Sequence, residues 1–396
     1  MHRRVALIAG AGIGGLCAAL CLARAGCEVR VFEQAGSLEK IGAGLQISPN
    51  ASVVLRRLGV LERLRGAALA PRAIRVRRAR DGEVLAVMPL GDAERRWGAP
   101  YLLAHRADLQ QALLAAVAEA SGIVLHTGAA VTEYSAQRDV VTIALEDGGE
   151  ARGDLLICAD GVRSRLRDQL VGPGKKVHSP RGTAWRTLVP AASVAAEMLR
   201  AESSLWLGPG AHVVHYPLRG GTVVNLVAIL DTGPKVPLRE GAWSTPGDPA
   251  VIERRLAAWA KPLRGLIMAA PDWRVWPLVE RAPLARWAIG RVALLGDAAH
   301  PMLPFLAQGA AQAIEDAAAL GQSLASVDGI EPGLLAYEAA RRARAGRVQR
   351  ESRTQATLYH LSGPAALARD LTMRAVGGRN LLARYDWLYR VGGLAG

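Results

Sequence analysis

Three groups of residues in this chain have types and spacings that can do chemistry. Gly10-Ala11-Gly12-Ile13-Gly14-Gly15 is a G-x-G-x-x-G turn, and Glu33 follows Gly10 by 23 positions. The first glycine permits a tight turn, the second lets a pyrophosphate approach the backbone, and the helix opening at Gly14 directs its positive end at that charge. Glu33 is placed to accept from the ribose hydroxyls of an adenosine. This motif serves FAD and NAD equally. Far along the chain, Val292-Ala293-Leu294-Leu295-Gly296-Asp297 ends an apolar run in a carboxylate, which suits a polyol donor. Between them lies Gly210-Ala211-His212-Val213-Val214-His215-Tyr216-Pro217. A strand there puts His212 and Tyr216 on one face and His215 on the other, giving an imidazole and a phenol that can orient or accept a hydroxyl proton. Trp185-Arg186 opens the same region, and Arg186 offers a cation to a carboxylate or to a surface turn.

Other chemistries find no support. Cys17, Cys21, Cys27 and Cys158 lack both C-x-x-C spacing and paired histidines, so they read as small buried hydrophobes in a reducing cytoplasm rather than a zinc site or a disulfide frame. Gly174-Lys175-Lys176 has Gln169 where a P-loop needs its leading glycine, and neither H-E-x-x-H nor G-x-S-x-G occurs. The formal charge is +14, from 49 Lys and Arg against 35 Asp and Glu, but the arginines are spread and no aromatic residues interleave a basic run. That argues against nucleic acid and for a field that attracts small anions. The uncharged run from Val5 to Ala23 imitates a signal peptide or membrane span, yet Gly10, Gly12, Gly14 and Gly15 would weaken any single helix laid through it.

The elements that must position these residues follow from periodicity. Arg4 to Ala9, Gly14 to Ala25 and Glu28 to Phe32 read as a βαβ unit. Leu155 to Ala159 and Val292 to Leu295 are further short apolar runs, as expected of buried parallel strands ending at a ligand crevice. From about Lys176 to Trp276 the chain is rich in Val, Trp, Thr, Pro and Gly, which predicts an antiparallel β lobe joined by Ala73 to Met88. From Glu331 the chain reads as a long helix, with six arginines between Arg341 and Arg353 that a solvated face mostly explains.

The run Arg291 to Pro301, followed by Gln308-Gly309-Ala310-Ala311-Gln312-Ala313-Ile314-Glu315-Asp316, resembles the single-component FAD-dependent aromatic hydroxylases. That family includes the para-hydroxybenzoate, salicylate, 3-hydroxybenzoate and 6-hydroxynicotinate hydroxylases. The resemblance spans nearly the whole chain and is thinnest in the β lobe. It implies an α/β fold: a Rossmann-type FAD-binding domain with a parallel sheet, an interleaved antiparallel β substrate lobe and C-terminal helices. The expected division is FAD-binding segments 1–72, 101–175 and 277–330, substrate-lobe segments 73–100 and 176–276, and a helical region 331–396.

Residue by residue, the resemblance implies that Asp297 binds the flavin ribityl chain and that Gly309 and Ala310 lie at a helix start beside the flavin. Cys158-Ala159-Asp160-Gly161-Val162-Arg163-Ser164 resembles the family's Asp-Gly motif, which assigns Asp160 and Gly161 to cofactor support, with Ser164 available as a helix cap. His105-Arg106 resembles the segment whose arginine contacts FAD, and Gly42 to Asn50, with Gln46, resembles the mobile loop beside the flavin ring. Gln34 and Val131 join the implied FAD set. The family places a histidine and a tyrosine at His212 and Tyr216, which become the implied catalytic pair. Arg186, Pro304 and Phe305 are the implied substrate contacts. Pro304 and Phe305 stand where other members carry a glutamine or histidine, and neither can ionise.

The implied reaction uses NADH or NADPH to reduce FAD; oxygen then adds to give a flavin hydroperoxide, whose distal oxygen passes to a small phenolic or heteroaromatic acid. A larger uncharged polyketide, purine or isoprenoid ring is the alternative substrate, and a non-catalytic flavin- or nucleic-acid-binding protein the alternative class. The expected location is the cytoplasm, with no nucleic-acid or membrane partner. A homodimer is compatible with the chain.

Overall fold

The computed structural model describes residues 3–38, 43–172, 182–231 and 244–391. Gly42, the Gly174-Lys175-Lys176 stretch and the expected junction at 175/176 lie outside them.

The central sheet has six strands in the order Ala288–Ile289, Val292–Leu294, Leu155–Cys158, Val5–Ala9, Glu28–Glu33, Ile123–Thr127. All its pairings are parallel except the edge hairpin formed by the first two. The inner strands read VALIA and LLIC without alternation because both faces are covered. On one side the helices Ile13–Arg24, Arg106–Glu119 and Gly309–Ser326 pack together. On the other lies an antiparallel meander of Val131–Gln137, Val140–Leu145 and Glu150–Gly153, whose Val141 and Ile143 join the same core as Leu7 and Leu156. Each such buried aliphatic side chain contributes about 2 kcal/mol. The uncharged stretch from Val5 to Ala23 is therefore strand, turn and helix, and among the described residues no helix is long and apolar enough to cross a membrane.

A second sheet of eight strands runs in the order Thr245–Pro246, Arg274–Pro277, Thr183–Pro190, Val223–Leu230, Ala211–Leu218, Ser203–Gly208, Ala73–Arg78, Val84–Pro89. One pairing departs from the antiparallel expectation: Ser203–Gly208 pairs parallel with Ala73–Arg78. The two strands are separated by a long excursion through the other sheet, and a parallel pair needs such a crossover. The lobe also holds two helices that its β-rich composition conceals, Pro249–Arg255 and Lys261–Met268. Ile252, Leu263 and Ile267 from these helices bury the outer sheet face, meeting Trp185, Trp206 and Val213. That leaves the inner face toward the central sheet.

The long helix is Ile330–Tyr359, followed by Gly363–Val376, Gly378–Ala383 and Asp386–Tyr389. Its arginines are not mainly a solvated face. Arg342, Arg347 and Arg350 are exposed, whereas Arg341 is buried and Arg344 half-buried in contact with acids of the neighbouring helix. Cys17, Cys27 and Cys158 are buried free thiols and Cys21 is half-buried.

Candidate active site

A cavity of about 390 Å³ opens where the C-terminal ends of the central strands meet the inner face of the large sheet. On the central-sheet side the glycines explain themselves. Gly10 has φ +103°, and a Cβ there would lie 2.5 Å from the carbonyl oxygen of Ala159. A Cβ on Gly15 would stand 1.9 Å from the carbonyl oxygen of Gly10. Gly12 differs, because a Cβ on it would meet nothing within 4 Å, so its face is open to the cavity. Gly12 precedes the helix Ile13–Arg24 without a side-chain cap, and the helix carries no acid in its first turn, so free N–H groups and a positive end face that space. Gly12, Ile13 and Gly14 line the cavity; Gly10 and Gly15 shape the turn behind them.

Glu33 is already engaged. Its Oε2 accepts from the Ala11 amide at 2.7 Å and its Oε1 from the Ala35 amide at 3.0 Å, leaving one lone pair on each oxygen for a ribose. Gln34 sits in the turn after this strand and Val131 begins the meander; neither lines the cavity.

Gly296, at φ +63°, turns the opposite rim so that the Asp297 side chain opens on the cavity. Although accessible there, Asp297 is surrounded by protein, which pushes its carboxyl up, against the opposing pull of His300 and Arg106. The turn rests on a buried ionic cluster. Asp316 Oδ2 accepts from the Gly296 amide at 3.1 Å and meets His300 Nε2 at 2.6 Å, while its Oδ1 accepts from Arg341 Nε at 2.7 Å. Burial alone would raise the Asp316 carboxyl, but His300 and Arg341 bring it down to about 2. Glu315, also buried, is held by Arg341, Arg344 and Asn50, and Asn50 and Ser48 both bond Gln308. The cluster fixes the start of the helix Gly309–Ser326, whose Gly309 and Ala310 line the cavity with no side-chain cap in the way.

Gly161 and Arg106 complete this rim. Asp160 stands just behind, with its Oδ1 buried and unpartnered and its carboxyl pushed up by burial. Ser164 caps the helix Arg165–Val171 by accepting from the Arg167 amide at 2.9 Å.

The large sheet supplies the other wall through side chains. Its cross-strand register places His212 opposite Ile229, Val214 opposite Val227 with Arg186 beyond, and Tyr216 opposite Asn225. Alternation puts His212, Val214 and Tyr216 on the cavity face, while His215 turns away to accept from Trp206 Nε1 at 3.1 Å. Arg186 lies over the Trp276 ring at 5.3 Å, and its Nε is buried with no partner among the described residues. Burial pushes the Tyr216 hydroxyl up, against Arg186. A Cβ on Gly44 would come 2.7 Å from the Tyr216 hydroxyl oxygen, and the Gly44 amide donates to Asn225 Oδ1 at 2.6 Å. Where a mobile loop is expected, Gly44–Ile47 is a strand paired with Leu102–His105 and pressed onto this wall, and the helix Pro49–Arg57 follows it.

Gln46 accepts from the Tyr101 hydroxyl at 2.5 Å and borders both the main cavity and a smaller chamber of about 90 Å³. Pro304 also borders both spaces, whereas Phe305 lines only the small chamber and packs on His212 with ring centres 5.0 Å apart. His360, which no motif in the sequence marks, brings its Nε2 to 2.8 Å from His212 Nδ1. At a separation of 148 residues no local pattern connects the two.

This wall and rim suit a flavin dinucleotide. Gly12 leaves a cradle, two helix starts and Arg106 offer positive ends to phosphates and to an electron-rich ring edge, and Asp297 offers an acceptor to a polyol. The family model described as an FAD binding domain matches residues 3–352. The chain belongs to the FAD-binding-domain family. Its cofactor is FAD. Over 391 residues it is 38% identical to 3-hydroxybenzoate 6-hydroxylase 1 of Aquipseudomonas alcaligenes, covering 98% of each chain. It is 36% identical over 357 residues to the 6-hydroxynicotinate 3-monooxygenase of Pseudomonas fluorescens, covering 88% of this chain and 90% of that one. Among solved structures, Klebsiella pneumoniae HpxO complexed with FAD and uric acid superposes with a TM-score of 0.85 at 27% identity, covering 98% of this chain and 96% of that one.

Proposed function

We propose that this flavoprotein hydroxylates a small phenolic or heteroaromatic carboxylate in the cytoplasm, with NAD(P)H and oxygen as co-substrates. FAD, when bound, supplies the activation of oxygen and its delivery to the ring. The observation that carries the substrate class is Arg186: a half-buried cation whose buried Nε has no partner among the described residues, on the same wall as Tyr216 and His212. An unpaired cation in such a place is stabilised by an incoming carboxylate. The similar 3-hydroxybenzoate and 6-hydroxynicotinate enzymes act, by their names, on acids of this class.

In this assignment the FAD-lobe segments 1–72, 101–175 and 277–330 hold the cofactor. Gly10 to Gly15 with Glu33 and Gln34 take the adenosine diphosphate part, and Arg106, Asp160, Gly161, Asp297, Gly309 and Ala310 take the ribityl and flavin part. Val131 and Gln46 flank the two ends. The substrate-lobe segments 73–100 and 176–276 contribute Arg186 to the carboxylate, and His212 and Tyr216 to the ring hydroxyl. Pro304 closes the pocket by apolar contact, which excludes water from the reacting ring, and Phe305 backs it by packing on His212 from the small chamber.

The test is consumption of NADH or NADPH and oxygen against a panel of hydroxybenzoates and hydroxypyridine carboxylates, with product mass read for one added oxygen. Stimulation by at least one acid is expected. Arg186→Gln should raise KM for that acid by about 10- to 100-fold, as expected for a charge-assisted bond, and leave the KM of its primary amide within a few-fold. No stimulation by any acid would overturn the assignment.

A further inference from the structure

Behind His212 the wall continues as a line of polar groups that reaches the surface. His360 follows the long helix Ile330–Tyr359 and faces His212 Nδ1 through its Nε2 at 2.8 Å. Its own Nδ1 lies 2.5 Å from Oδ1 of Asp231, the residue after the strand Val223–Leu230. Both imidazoles are buried, whereas the Asp231 side chain is 45% exposed. Gly210 ties the two ends together: its amide donates to the His360 carbonyl at 3.1 Å, and its carbonyl accepts from the Asp231 amide at 3.0 Å. Phe305 and Tyr359 pack on the His212 ring with centres 5.0 and 5.3 Å away, so the ring is clamped.

The three groups set one another's protons. A carboxylate only accepts, so His360 carries its proton on Nδ1. Its Nε2 is then an acceptor, so His212 donates from Nδ1. Nε2 of His212 is left unprotonated, and that is the nitrogen remaining for the cavity. Burial, with His360 the lesser cause, holds the His212 imidazole well below the usual histidine range, so a proton accepted there does not stay. The other charged groups nearby turn elsewhere. Arg255 donates to the carbonyls of Pro209 and Gly210, and Arg369 donates to those of Leu358 and Tyr359 and to Asp370.

We propose that His212, His360 and Asp231 form a proton relay from the substrate's ring hydroxyl to solvent, with His360 and Asp231 as positioning residues that keep His212 an acceptor. This rests on the hydroxylase assignment above. As the substrate O–H breaks, its electron pair stays on the phenolate oxygen and the proton forms an N–H bond at His212 Nε2. The proton on His212 Nδ1 passes to His360 Nε2, and the proton on His360 Nδ1 passes to Asp231 and from there to water. One proton leaves the cavity, and no group is oxidised or reduced.

The test uses the FAD-loaded enzyme with 3-hydroxybenzoate and 6-hydroxynicotinate as probes, across about pH 6 to 9. In Asp231→Asn the amide can donate to His360 Nδ1, which turns both imidazoles over and points an N–H at the substrate. Its kcat near neutral pH should fall ~10-fold or more, with FAD content unchanged and activity recovering as rising pH ionises the substrate unaided. Asp231→Glu should keep most of the activity. His360→Gly should lose activity comparably and regain it on addition of imidazole. Wild-type kcat and pH profile in both Asp231→Asn and His360→Gly would overturn the relay. So would a loss that neither pH nor imidazole relieves. A wild-type enzyme that adds oxygen to no acid of the wider panel would instead overturn the hydroxylase assignment, and the relay with it.

Discussion

The two walls of the cavity are built by opposite means. The central-sheet wall presents backbone: glycines without side chains, bare helix starts, and turns fixed from behind by the Asp316 and Glu315 ion pairs. The large-sheet wall presents side chains, in which His212, Tyr216 and Arg186 come from two strands and are backed by a residue beyond the long helix. A backbone wall recognises a phosphate-bearing cofactor through close approach and leaves little room for substitution. A side-chain wall keeps its register while individual residues change, so one sheet can be fitted to different rings.

By that contrast, damage to the first wall should abolish the holoenzyme and damage to the second should alter only its chemistry. Gly15→Ala makes the severest demand, because the added Cβ would meet a backbone oxygen at 1.9 Å that cannot swing aside. The expected outcome is protein that purifies without flavin and gains none on titration with FAD, read by visible absorbance. Arg341→Met comes next. It leaves Glu315 and Asp316 buried without their cation and should cost about 3–5 kcal/mol in urea unfolding near neutral pH. The sign with pH is fixed. Asp316 titrates lower in the folded state than unfolded, so its contribution is complete above about pH 4 and is lost as pH falls toward about 2. The Arg341→Met penalty should therefore shrink as the solution is acidified over that range. Tyr216→Phe touches only the second wall. It should lower the yield of hydroxylated product about 100-fold, the scale of a lost proton-handling group, while FAD binding stays within twofold. An unchanged product yield would remove Tyr216 from the chemistry.

The same contrast governs what could be read from the chain. The dinucleotide turn and the Gly296-Asp297 strand end are contiguous motifs whose geometry follows from local sterics, so residue types announced them. Strand alternation likewise puts His212 and Tyr216 on one face. Arg341 reads from the chain as part of a solvated face, because a helix pattern cannot show that Glu315 and Asp316 on another helix pair with it. The two helices of the β lobe have no clear signal in the chain, because Ile252 and Leu263 serve a sheet face that local composition does not display. His360 and Asp231 were invisible for the strongest reason: their meaning arises only when three separate segments converge.

The sharpest small test uses the two faces of one strand, since His215 lies three residues from His212 and points the other way. Burial, with Arg77 second, pushes the His215 imidazole down to about 3, so the folded chain holds it neutral. Its ring accepts from Trp206 Nε1, and His215→Phe strands that buried donor, which should cost about 1–2 kcal/mol near neutral pH. Between about pH 6.5 and 3 the unfolded chain binds a proton at His215 that the folded chain refuses, so the contribution of this group to wild-type stability falls with acidification, by up to about 1.4 kcal/mol per pH unit. Phenylalanine carries no such liability. The stability difference between the two proteins should therefore narrow below neutrality and close near pH 5, in paired urea titrations. Turnover of His215→Phe should stay within twofold of wild type throughout; a large loss would mean that the outer face of the sheet is coupled to the chemistry after all.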